Sequence, residues 1–122
     1  MYKYFTKDEM RCTHCGAYDM DDTFMQRLDQ LREDMGFAFP VTSAYRCAKH
    51  PIEARKKAPG AHTTGRAVDI GVQGEKAYRL IEGAIELKFK GIGIKQKGQG
   101  RFIHLDDIPN SPDRPRPWIW SY

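Results

Sequence analysis

The sequence has no long apolar run, and this absence argues against a helix that crosses a membrane, which needs about 20 consecutive apolar residues. Residues 1–9 also lack the apolar core of a secretory signal peptide, so we expect synthesis in the cytoplasm. Internal repeats and low-complexity tracts are absent too. We therefore expect residues 1–122 to form one domain of ordinary size.

Cysteine is scarce, and its odd count of three prevents a fully paired disulfide framework within one molecule. The spacing is nevertheless typical of metal ligands, because Cys12 and Cys15 form a C-x-x-C pair while Cys47 and His50 form a C-x-x-H pair. Each pair lets one turn present two ligands to a tetrahedral zinc ion. Three interpretations stay open: a closed structural zinc site, a disulfide from Cys47 to Cys12 or Cys15, or three reduced thiols. We take the zinc site as the working hypothesis.

Acidic residues are outnumbered by basic ones, which gives a net charge of +4 and an isoelectric point near 9.0. This balance favours an anionic partner. The densest basic cluster, residues 55–57, is short and typical of a solvated face. No base-reading or base-stacking motif accompanies the charge, so we expect no nucleic-acid binding.

Period-two alternation places metal-type side chains on two predicted strands. In residues 66–72 the larger apolar side chains share one face, and Asp69 lies on the other face among small residues. In residues 101–106 His104 likewise lies opposite the apolar face. Pairing of these strands would bring the two groups together, and the glycine turn after His62 would aim its imidazole toward Asp69. Two histidines, one carboxylate and an open fourth position form the ligand set of a catalytic zinc ion, although such residues are also common as structural groups.

Helical spacing predicts two helices within an α+β fold. The first is capped by Asp21 or Asp22 and ends at Gly36. The second follows Gly74 and stops before Gly91. Its expected inward-facing residues are Ala77, Leu80, Ile81, Ala84 and Ile85.

Further strands are predicted at residues 39–45 and 92–95, the latter joined to residues 101–106 as a hairpin through a glycine-containing loop. After Asp107 the chain is rich in proline, which predicts an extended arm. Trp118, Trp120 and Tyr122 would either pack this arm onto the domain or line one wall of a cleft.

Four motifs occur in a fixed order at residues 42–46, 62–70, 102–106 and 118–122. In that order they resemble the zinc D-Ala-D-Ala carboxypeptidase family, which is related to phage L-alanyl-D-glutamate endopeptidases and to the hedgehog signalling domain. The resemblance extends over almost the whole chain. It implies a small antiparallel sheet with flanking helices.

The resemblance also assigns roles to individual residues. It implies that His62, Asp69 and His104 bind a catalytic zinc ion. It further implies that Arg46 contacts a carboxylate or carbonyl group of a peptide substrate, with Ser43 and Tyr45 of the same motif beside it.

The residue that moves the proton is not provided by the family pattern. Several relatives have a histidine two residues before the last ligand or a glutamate three residues before it, whereas this chain has Phe102 and Arg101. A peptidase needs a group that takes the proton of the attacking water. Asp106, on the same strand face as His104, is our candidate for this general base. The alternative is a carboxylate that orients the zinc-binding histidine.

These features together predict a monomeric zinc peptidase that hydrolyses peptide bonds in peptidoglycan stem peptides or cross-links, as a phage-type lysin or a carboxypeptidase. Bacterial wall is rich in carboxylates and would suit the basic charge. Without a leader, the protein would reach the wall after release from the cell or as part of a phage particle. The competing hypothesis is an inactive zinc-binding relative that serves as a wall-binding or partner-binding module.

Overall fold

A computed structural model describes residues 2–122 of the chain. Its helices and strands are, in order, α1 (Lys7–Met10), α2 (Asp22–Met35), β1 (Val41–Ser43), α3 (Pro51–Ala54), a 3-10 helix (Ala61–Thr64), β2 (Ala67–Ile70), α4 (Glu75–Glu86), β3 (Gly91–Lys95), β4 (Phe102–Asp106) and β5 (Trp118–Ser121). All five strands belong to one sheet with the order β1-β2-β4-β3-β5. The predicted α+β class is confirmed.

The two long helices follow the predicted boundaries. The Asp21 carboxylate accepts the N–H of Phe24 and caps α2, while Gly36 ends it in the left-handed conformation with φ of 74°. Helix α2 packs against α4, which in turn contacts β4. Ile85 was expected to face inward, but it is 56% exposed because the buried stripe of α4 runs along the adjacent face. No helix in residues 2–122 is long and apolar enough to span a bilayer.

The central strands have the pairing that the alternation predicted. Strands β2 and β4 are antiparallel, and Asp69 lies directly opposite His104. Strands β3 and β4 form the predicted hairpin, in which Gly93 lies opposite His104. Strand β1 is shorter than predicted, since its register shifts between Val41 and Ser43.

The C-terminal segment is a strand and not only an extended arm. Strand β5 pairs with β3 in parallel, so the sheet is mixed, while the expected antiparallel pairing holds between the other neighbouring strands. Gly93 faces Trp120, and a Cβ atom at Gly93 would lie 2.7 Å from the indole ring. Gly91 similarly leaves room for the Asp106 carboxylate. The two glycines of β3 therefore let the Asp106 and Trp120 side chains pack closely over the sheet.

Candidate metal centre

The His62 side chain is oriented by a backbone hydrogen bond to Ala44 and by the glycine turn that ends its short helix. Its Nδ1 lies 2.7 Å from the carbonyl oxygen of Ala44, so Nδ1–H donates this bond and Nε2 is the ring nitrogen left to bind a metal. Nε2 lies 3.3 Å from Oδ1 of Asp69. Gly65 ends the helix with φ of 73°, and a Cβ there would collide with the Asp19 carbonyl oxygen. Glycine is therefore required at the turn that aims the imidazole.

Asp69 and His104 complete a group of three buried donors. Nδ1 of His104 lies 3.0 Å from Oδ1 of Asp69, and all three residues are at most 5% exposed. One ligand atom from each residue lies within 4.8 Å of the others. Donors around a tetrahedral zinc ion with bonds of about 2.0–2.1 Å lie about 3.3 Å apart, which is close to the two distances observed. The donor set and its spacing therefore fit zinc.

The charges in this group favour a cation. Burial would raise the pKa of Asp69, but the hydrogen bonds from His104 and His62 hold that pKa well below its usual range. Burial would lower the pKa of His104, but Asp106 and Asp69 accept hydrogen bonds from its ring and raise that pKa. The His104 imidazole thus lies between two carboxylates, which stabilise positive charge on its ring.

Asp106 binds the far side of the His104 ring. Its Oδ2 lies 2.7 Å from Nε2 of His104, and it accepts two further hydrogen bonds from Arg116, at 2.9 Å from Nε and 2.8 Å from Nη2. Asp106 is fully buried. Of the two roles left open for Asp106, this geometry favours a carboxylate that fixes the tautomer and orientation of a metal-binding histidine.

Arg46 lies between the metal-type donors and the buried carboxylate of Glu53, which no sequence motif indicated. Its Nη1 is 3.2 Å from Oε2 of Glu53, and its Nη2 is 4.0 Å from Oδ2 of Asp69. Glu53 also accepts from Lys56 Nζ at 3.0 Å and from the N–H of Gly60 at 2.9 Å. Since Gly60 precedes the helix that carries His62, Glu53 links Arg46 to that helix. The only available signal was a single acidic residue in the basic stretch 46–57.

The comparisons with known proteins agree with this site. A family model described as peptidase M15 matches residues 3–106, which is most of the chain and includes all three donors. The chain belongs to this family. Members of the M15 family are zinc peptidases of the D-Ala-D-Ala carboxypeptidase type, so the family indicated by the four motifs is confirmed. No curated protein matches the chain.

A cleft of about 690 Å³ lies beside β1 of this M15 peptidase. Ser43, Tyr45 and Arg46, the expected substrate-binding residues, contribute to its lining. The three metal-type donors are outside that lining, but the Arg46 side chain reaches from the cleft toward the Asp69 carboxylate. The expected substrate residues are therefore brought together, next to the donors.

The C-terminal aromatic residues of the M15 peptidase differ in position. The Trp120 ring lies 5.0 Å from the His104 ring, and Arg116 lies over Trp120 at 5.1 Å. Trp118 is 55% exposed. Trp120 thus borders the metal-type donors, although it lies beyond the residues matched by the family model.

The three cysteines also come together, but the expected fourth ligand does not join them. One sulfur each from Cys12, Cys15 and Cys47 lies within 4.8 Å of the other two, and His50 is not part of that group. Nδ1 of His50 instead accepts the N–H of Ile52 at the start of α3, and its Nε2 lies 3.1 Å from Oγ1 of Thr13. The expected four-ligand set is thus corrected to three thiols.

Proposed function

We propose that this M15 peptidase uses zinc to hydrolyse peptide bonds in peptidoglycan stem peptides or cross-links. The observation that carries the proposal is the buried group of His62, Asp69 and His104, whose ligand atoms lie within 4.8 Å of one another beside the Arg46 cleft. Action on cell wall, after release or from a phage particle, is part of the same proposal. The net charge of +4 would assist capture of an anionic wall.

Zinc, when bound, supplies a Lewis acid that polarises the carbonyl group of the scissile bond. The chain's own residues hold the donors in place. The Ala44 carbonyl fixes the His62 ring through Nδ1, and Asp106 fixes the His104 ring through Nε2. Each histidine therefore directs its other ring nitrogen toward Asp69, where that nitrogen would bind zinc once it has lost its proton.

Arg46 would orient the peptide. Its side chain is 14% exposed, and it bonds to Glu53 through Nη1 while Nη2 approaches Asp69. A guanidinium group has five N–H donors in a fixed planar fork, so hydrogen bonds remain for a substrate carboxylate or carbonyl. Ser43 and Tyr45 line the same cleft and would contact the peptide backbone next to it.

A binding module without catalysis is the second candidate, and the engagement of the nearby carboxylates favours it. Asp106 is occupied by Arg116 and His104, and Glu53 by Lys56, Gly60 and Arg46. Neither carboxylate is free to accept a proton from water.

A cell-wall turbidity assay separates the two candidates. For the peptidase, purified wall should clear with zinc-loaded protein, new amino groups should appear, and both effects should stop with a chelator or with His104→Ala. For the binding module, the protein should sediment with wall in a zinc-dependent way while no amino groups are released. Absence of both effects with zinc-loaded protein would refute the proposal of a wall substrate.

A further inference from the structure

Three cysteine sulfurs converge in a second group that is distinct from the His62 group. Cys12 is buried, Cys47 is half-buried, and Cys15 is exposed. Their sulfurs lie within 4.8 Å of one another although Cys12 and Cys47 are 35 residues apart. A disulfide would use two of these sulfurs and leave the third alone, whereas a tetrahedral metal ion would use all three.

Backbone geometry supports thiolate ligands at this point. The N–H of Cys47 donates to the sulfur of Cys12 at 3.3 Å. The Cys12 turn is closed by two backbone hydrogen bonds of 2.8 Å, from Gly16 N–H to Cys12 O and from Cys12 N–H to Ala17 O. A second turn starts at Cys47, where the N–H of His50 donates to the Cys47 carbonyl at 3.0 Å. Both segments thus present a cysteine at the start of a tight turn, as zinc-binding turns do.

The environment of Cys12 also suits the ionised form, because the N–H of Cys47 points at its sulfur and a hydrogen-bond donor stabilises a thiolate. A thiolate is the form that binds metal.

We propose that Cys12, Cys15 and Cys47 bind one zinc ion, which ties the N-terminal turn to the loop that begins after Arg46. The fourth position is left for a further donor. The ligand class follows from chemistry, because three thiolates select zinc over hard cations such as magnesium or calcium. Cys12 lines the same cleft as Arg46, so this ion would hold one wall of the cleft against the N-terminal segment. The proposal does not depend on peptidase activity.

Cobalt substitution of the reduced, metal-free protein tests this site separately from the histidine site. Thiolate ligands give cobalt(II) an intense near-ultraviolet charge-transfer band, which histidine and carboxylate ligands do not give. The band should appear in the parent protein and in His104→Ala. It should be lost in Cys15→Ser, a change at an exposed position that leaves the core intact. Thr13→Ala, between the two ligands of the same turn, is the matched control and should keep the band.

Zinc analysis provides the second measurement. The reduced, zinc-loaded parent should carry two zinc ions, and Cys15→Ser and His104→Ala should each lose one. The proposal is overturned if folded, reduced protein shows no charge-transfer band, or if Cys15→Ser retains the parent's zinc content. A non-reduced protein that is two hydrogens lighter and does not take up zinc on reduction would also overturn it and establish the disulfide.

Discussion

Replacement of Asp106 by Asn tests whether this residue orients His104 or transfers a proton. The substitution keeps the shape of the side chain and removes its charge. In the parent protein the fully buried carboxylate accepts hydrogen bonds from His104 and twice from Arg116. The Arg116 side chain is 6% exposed, so water cannot replace the lost partner. Asp106→Asn therefore leaves a buried guanidinium group without a counterion.

Asp106→Asn should lower both the stability of the protein and its affinity for zinc. Removal of one partner from a buried ion pair destabilises a protein by about 3–5 kcal/mol. Loss of a carboxylate that orients a metal-binding histidine weakens metal affinity by about 10–100-fold. The Asn carbonyl can still accept the Nε2–H of His104, so we expect a loss of zinc affinity near the lower end of that range and a clear drop in melting temperature.

The assay measures zinc affinity by chelator competition and wall hydrolysis at saturating zinc. If Asp106 orients His104, Asp106→Asn weakens zinc binding, and hydrolysis returns when zinc is saturating. Asp107→Asn is the matched control, because the Asp107 carboxylate is also buried but pairs with Arg66, at 2.8 Å. This substitution should lower stability and leave zinc affinity unchanged. Unchanged zinc affinity together with lost turnover at saturating zinc would refute the reasoning and restore the general-base role.

Three further changes probe the surroundings of the donors. Arg46→Lys should raise KM for wall peptides with zinc content intact, since lysine lacks the planar fork; unchanged steady-state kinetics would make Arg46 structural. Burial would raise the pKa of Glu53, but hydrogen bonds from Lys56, Gly60 and Arg46 hold that pKa below the usual 4.5. The Glu53 carboxylate therefore stabilises the folded protein above pH 4.5, and this stabilisation is lost as the pH falls through the lowered pKa. Glu53→Gln should therefore lower the melting temperature at pH 7, with the gap from the parent narrowing below about pH 4.5; a pH-independent gap would contradict this. Gly65→Ala should lower the free energy of unfolding by more than the roughly 1–3 kcal/mol that a strained backbone costs, because the new Cβ would also collide with the backbone of Asp19. The matched control in urea unfolding is Gly98→Ala, because Gly98 has a similar φ of 74° and a Cβ there would have no neighbouring atom within 4 Å.

The helix ends and the donor strands could be predicted because their signals are local. The cap at Asp21 and the left-handed Gly36 depend on a few neighbouring residues, and both occur as predicted. The alternation around Asp69 and His104 fixes which face each side chain takes, and a shift of one residue would expose the apolar face of either strand. The observed pairing of Asp69 with His104 satisfies that constraint.

Glu53 could not be predicted as part of the site because its role depends on tertiary contacts. Its partners Arg46 and Gly60 lie seven residues before and after it, and α3, which carries it, is only four residues long. Nothing in that short stretch indicates which way a carboxylate will point. Similarly, the C-x-x-H spacing of Cys47 and His50 predicted a shared ligand role, but His50 instead caps α3.

The C-terminal strand shows how a distant segment can complete the support of a metal site. Local sequence predicted an extended arm because four prolines follow Asp107 and each removes a backbone donor. The last of them is Pro117, so residues 118–121 keep every donor and can pair with β3. That pairing brings Trp120 over Gly93 and against His104, and the turn before it delivers Arg116 to Asp106. Both contacts form only when β5 is in register with β3, so the orientation of His104 depends on residues that follow the last proposed ligand in the chain.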